Sequence, residues 1–149
     1  MNLENEIKQA KFDDEYHKLM VNLMFTTSWL SIRQIQFFRN YELSPQQYNI
    51  LRILRGQYPK PASVNLLIER MLDKMSNASR LVDKLALKGL VERKKCKTDA
   101  RQVDVVLSKK GIKLLKEIDV EIKLFESNLN KLDKKEAVIL SDLLDKMRG

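Results

Sequence analysis

One stretch, SNASRLVDKLALKGLVERKKCKTDARQVDVVLSKKG at residues 76–111, restricts the fold more than any other. Ser76 stands where a helix N-cap is expected, and Ala78, Leu81, Val82 and Leu85 follow at helical spacing. The opposite face carries Asn77, Ser79, Arg80, Asp83 and Lys84. Gly89 suits the left-handed residue that ends a helix, and Leu90 then folds back on Leu85, the apolar contact of a Schellman motif. Val91 to Lys95 and Gln102 to Leu107 read as two strands of a basic hairpin with its tip at Lys97 to Arg101. Ser108 caps the helix that follows. A helix stopped so abruptly presents its polar face beside the ribbon.

The remainder of the chain is helical in pattern. Tyr16, Leu19, Met20, Leu23, Met24, Leu30, Phe37 and Phe38 form one stripe over residues 14–39, with Phe25, Trp29 and Ile32 off it. Apolar residues on more than one face require more than one packing partner. Ser44-Pro45-Gln46-Gln47 is a capping-box start for a helix bearing Tyr48, Leu51, Ile53 and Leu54 and ending near Gly56. Tyr58 to Pro61 is a loop. Ser63 caps a short helix with Leu66, Leu67 and Met71 inward, and Asp73 to Met75 makes the turn into residues 76–88. The helix from Ser108 carries Ile112, Leu115, Ile118, Ile122, Phe125 and Leu129; Leu132-Asp133 breaks it; a last helix bears Val138, Leu140, Leu143, Leu144 and Met147. With only four glycines and three prolines in 149 residues, a turn-rich all-β fold is excluded. The expected fold is mostly α with a small β-hairpin, in a single domain over residues 1–149.

Charge is concentrated rather than spread. Residues 46–111 carry nine excess positive charges out of a net +8 for the chain, while residues 1–45 and 112–149 are near neutral. A polyanion-binding centre between two structural arms has this distribution, and so does a solvated basic face. No run of eighteen apolar residues exists to cross a membrane, and MNLENEIKQAKFDDEYHK lacks the apolar core of a signal peptide. A single cysteine forms no internal disulfide framework, and a cytoplasmic location is the expectation. One histidine, one cysteine and no phosphate-binding glycine loop argue against an enzyme, and no cofactor or metal is expected. Cys96 lies among lysines that favour a thiolate, so it reads either as a redox sensor or as an incidental hairpin residue. Met20, Met24, Phe25 and Trp29 either line an effector pocket or pack.

The order of these elements resembles the multiple-antibiotic-resistance regulator (MarR) family, most closely over residues 63–115. SRLVDKLALKGLVER is similar to that family's recognition helix and following strand; Asp99-Ala100-Arg101 matches its Asp-x-Arg at the wing tip; and Val105 to Gly111 matches its strand-to-helix junction of leucine, hydroxyl cap, two variable residues and glycine. Three positions depart from the pattern. Leu72 and Asp73 stand where the family often has a glycine and an apolar residue, and Ala100 stands where a second arginine is frequent. The resemblance implies a winged helix-turn-helix DNA-binding lobe over residues 44–111, with residues 1–43 and 112–149 as dimerisation helices. It implies a homodimeric transcriptional regulator, a repressor on a palindromic double-stranded operator, with release by a small-molecule effector left open. It also implies that Arg101 enters the minor groove while Asp99 holds its guanidinium.

The residues agree with that implication. At the front of a groove-bound helix, Asn77 can pair with adenine and Arg80 with guanine through two atoms each. Ser76 and Ser79 offer short hydroxyls, and Lys84 lies further along, toward phosphate. Arg93, Lys94, Lys95 and Lys97 make the wing, residues 91–107, cationic. Against this stand a Ser76 that only caps, an Arg80 paired with Asp83 or another nearby acid, and a winged-helix protein–protein interaction module that never reads DNA.

Overall fold

The computed structural model describes residues 2–95, 103–129 and 131–149. The described residues fold mostly as helix: α1 (Leu3–Ile7), α2 (Glu15–Arg39), α3 (Pro45–Gln57), α4 (Val64–Arg70), α5 (Ala78–Leu87), α6 (Lys109–Leu129) and α7 (Lys134–Arg148). The strands are β1 (Ala62–Ser63), β2 (Val91–Lys95) and β3 (Val103–Leu107). The expected hairpin pairs in antiparallel register, from Val91 opposite Leu107 to Lys95 opposite Val103. It is not alone. β1 pairs with the other edge of β3, Ala62 opposite Val105 and Ser63 opposite Asp104, so the sheet has three strands in the order β1-β3-β2. Sequence patterning gave no sign of β1 or of α1, because two and five residues are too few to show a period.

Local chemistry sets the helix ends. Ser44 and Gln47 form the capping box: the Ser44 hydroxyl accepts from the Gln47 amide at 3.1 Å, and the Gln47 side chain accepts from the Ser44 amide at 2.9 Å. Ser63 accepts from the Leu66 amide at 3.2 Å. Beyond α5, Gly89 takes φ +68°, its amide donates to Ala86, and the Leu90 amide donates to the Leu85 carbonyl at 3.0 Å. Leu85 and Leu90 are both buried, so the full Schellman stop is present.

The junction between β3 and α6 is a second fastening point. The Ser108 hydroxyl donates to the Gly89 carbonyl at 2.7 Å and accepts from the Gly111 amide at 3.0 Å, while the Ser108 amide donates to the Leu90 carbonyl at 3.1 Å. A Cβ on Gly111 would collide with the Leu90 carbonyl oxygen. Position 111 therefore requires glycine for close backbone approach.

The core sits in the middle of the chain. Ile50, Leu51 and Leu54 from α3, Leu67 from α4, Val82 and Leu85 from α5, Val105 from β3, and Leu115 and Ile118 from α6 are almost wholly enclosed. The long helices join it at one end only. Phe38 stacks obliquely on Tyr48 with ring centres 4.3 Å apart, and Phe37 stacks on Phe125 at 4.5 Å. An Arg55–Asp119 ion pair at 2.7 Å adds a polar tie between α3 and α6. Elsewhere much of the apolar surface of α2 and α7 stays open: Tyr16, Met24, Ile32 and Ile35 of α2 and Val138, Ile139 and Leu143 of α7 are exposed, and α7 buries no residue.

Candidate nucleic-acid interface

The front of α5 is built by the turn before it. Asp73 organises that turn through both carboxylate oxygens. One accepts from the Met75 amide at 3.0 Å; the other accepts from the Ser76 hydroxyl at 2.7 Å and from the Gln46 side chain at 3.3 Å. The Ser76 hydroxyl, then Gln46 and the Met75 amide, hold the Asp73 carboxyl below its ordinary value. This carboxylate fixes the turn at the position where the MarR-like pattern would place an apolar residue.

Its capture of Ser76 corrects one expectation. Ser76 is not the cap of α5; Asn77 is, its side-chain oxygen accepting from the Arg80 amide at 3.0 Å. Ser76 is half-buried and faces Asp73. The Asn77 oxygen already has a backbone partner, so a two-atom contact to adenine would have to share that oxygen with the cap.

Asn77, Ser79, Arg80 and Lys84 are all exposed on α5. The expected alternative for Arg80, a pair with Asp83, does not form. Asp83 binds Arg93 of β2 instead, and Arg80 has no acidic partner among the described residues. The Asp83–Arg93 pair fastens α5 to β2 and leaves Arg80 without an acidic partner among the described residues. On β2, Lys94 lies 3.8 Å from Glu92, a loose exposed pair. Lys95 is the last residue of β2, opposite Val103. Cys96, Lys97, Asp99 and Arg101 lie outside the described residues.

Behind this face is a cavity of about 730 Å³. Leu30, Ile35 and Phe38 of α2, Tyr48 and Arg52 of α3, and Ile122 and Phe125 of α6 line it, and Gln46 and Asp73 reach its rim. Met20, Met24, Phe25 and Trp29, read as either pocket lining or packing, are not among the residues that line this cavity. Arg33 instead covers the Trp29 ring at 4.0 Å. No group of three metal-ligating side chains occurs among the described residues, and no described helix is long and apolar enough to cross a membrane.

The family model for MarR matches residues 43–103, the span from the end of α2 to the start of β3. Over that span the chain is similar to the MarR family. Likeness to solved structures runs beyond residues 43–103. A MarR-like transcription regulator from Bacillus cereus ATCC 10987 is 27% identical, with 90% of this chain and 96% of that one covered and a TM-score of 0.78. A MarR transcription factor from Planctomyces limnophilus is 29% identical, with 93% and 98% covered and a TM-score of 0.69. The MepR protein of S. aureus, solved as a complex with DNA, shares the fold at 20% identity, with 92% and 97% covered and a TM-score of 0.76. No curated protein matches the chain.

Proposed function

We propose that this chain is a sequence-specific double-stranded DNA-binding transcriptional regulator, a cytoplasmic homodimeric repressor carrying no catalytic step. The observation that carries the reading is Arg80: an exposed guanidinium without an acidic partner among the described residues, at the front of a helix capped by Asn77 and joined through Asp83–Arg93 to a basic ribbon. α5 would lie in the major groove, with Arg80 on a guanine edge, Ser79 beside it, and Lys84 toward phosphate. The ribbon would follow the adjacent minor groove, with Lys95, Lys97 and Arg101 as its cations and Asp99 steadying Arg101. The concentration of positive charge in residues 46–111 supports a phosphate-driven interface.

The exposed apolar residues of α2 and α7 support a second copy as the partner of the outer helices. A two-fold dimer would read a palindrome with half-sites about ten base pairs apart. The cavity supports release by a small apolar effector with a polar group facing Arg52. Gln46 and Asp73 lie on both the cavity rim and the turn that carries α5, so an occupant displacing them would disturb the reading helix.

The test is the affinity of the protein for duplexes retained from a random library, by fluorescence anisotropy. Arg80→Ala is expected to lose about 1–3 kcal/mol of binding and relax the preference at one base pair. It should unfold at the wild-type temperature. Wild-type affinity in the variant would remove α5 from the interface.

A further inference from the structure

Resting on the DNA-binding reading above, we propose that Met75 is a specificity-determining contact whose side chain packs on the C5-methyl group of a thymine in the major groove. At 94%, Met75 is the most exposed large apolar side chain among the described residues. Its sequence neighbours on the core side, Met71 and Ala78, are each 2% exposed, so the lobe has a closed interior that Met75 does not enter. The backbone beneath it is pinned. The Met75 amide donates to Asp73, and the same carboxylate holds the Ser76 hydroxyl and the Gln46 side chain. The thioether therefore projects from a fixed turn two residues ahead of the Asn77 cap.

Charge selects the occupant. Lys74 is adjacent in sequence, Arg80 lies on the first turn of α5, and both are exposed within the most cationic part of the chain. That setting suits a polyanion better than an apolar protein surface. Within the major groove, the thymine methyl is the apolar group that distinguishes one base from the others. Residues at the front of a groove-bound helix lie nearest the base edges, and an unbranched, polarisable side chain adapts to a small apolar target. The Met75 contact adds discrimination against cytosine that Arg80 and Asn77, as hydrogen-bonding groups, do not supply.

Removing only the methyl group tests the assignment. Each thymine of a library-selected duplex is replaced in turn by deoxyuridine, and affinities are measured for wild type, Met75→Ala and Met75→Leu. Wild type is expected to lose roughly four-fold at particular thymines, the worth of one buried methyl. Met75→Ala should bind the thymine and deoxyuridine duplexes equally, Met75→Leu should keep the preference, and both should unfold at the wild-type temperature. Equal methyl sensitivity in wild type and Met75→Ala overturns the assignment. So does a selected site in which no thymine methyl matters, or a Met75→Ala protein altered only in its association state by sedimentation. A wild-type protein that retains no duplex at all defeats the DNA-binding reading itself, a separable result.

Discussion

The middle of the chain and its outer helices solve the same problem in opposite ways. In the lobe formed by α3 to β3 and the first half of α6, apolar side chains face one another, and Ile50, Leu51, Leu67, Leu85, Val105, Leu115 and Ile118 reach zero exposure. In α7, Val138, Ile139, Leu140, Leu143 and Met147 occur at helical spacing and stay between 44% and 59% exposed. α2 runs for 25 residues and buries only Phe38. Similar patterns thus yield a finished core in one region and an open face in the other. A hydrophobic stripe says that a helix has a partner; it does not say whether that partner is in the same chain.

Paired substitutions would break this comparison if it is wrong. Leu115→Ala empties a closed site and is expected to cost about 2–5 kcal/mol in denaturant unfolding. Leu143→Glu, on the open face, should leave the unfolding of the lobe unchanged but convert a dimer to monomers in sedimentation. If Leu143→Glu unfolds the lobe, the two regions share a core after all. A smaller effect sharpens the picture within the lobe. Asn77→Ala removes the cap of α5 and should cost about 0.5–2 kcal/mol, whereas Ser76→Ala, which leaves that cap in place, should cost less. Equal losses would restore Ser76 as the capping residue.

The smallest effect concerns Asp73. Its carboxyl is held below the ordinary value of 3.8 mainly by the Ser76 hydroxyl. A depressed value means that the fold favours the charged form. The stabilisation is therefore complete above the ordinary value and is lost as pH falls through the folded one. Asp73→Asn keeps an acceptor for the Met75 amide but does not titrate. Its melting temperature should lie slightly below wild type near neutrality and converge on it below about pH 4. Parallel acid profiles would show that Asp73 does not hold the turn through its charge.

Much of this was legible in the residues because it rests on local chemistry. Ser44 and Gln47 close their own box, and Gly89 and Leu90 end α5 by a motif that spans six residues. The Ser76–Asn77 choice was not legible, since both are good caps and a third residue, Asp73, decides between them. Asp83 likewise had two arginines within reach, and the strand pairing that brings Arg93 beside it is a tertiary fact. The cavity was not legible, because its walls come from helices far apart in sequence, and a lining leucine looks like a core leucine. Met75 read as part of a turn; only its exposure marks it out.

Ser108 has a mechanical consequence. One hydroxyl grips the carbonyl that ends the Schellman turn of α5 and the amide that begins α6, and Gly111 lets the two backbones touch. The end of α5 and the start of α6 are thereby joined through one short junction. On the DNA-binding reading proposed above, a displacement of this end of α6 would be passed directly to α5, so how the far end of the long helix is held would bear on how α5 is aimed.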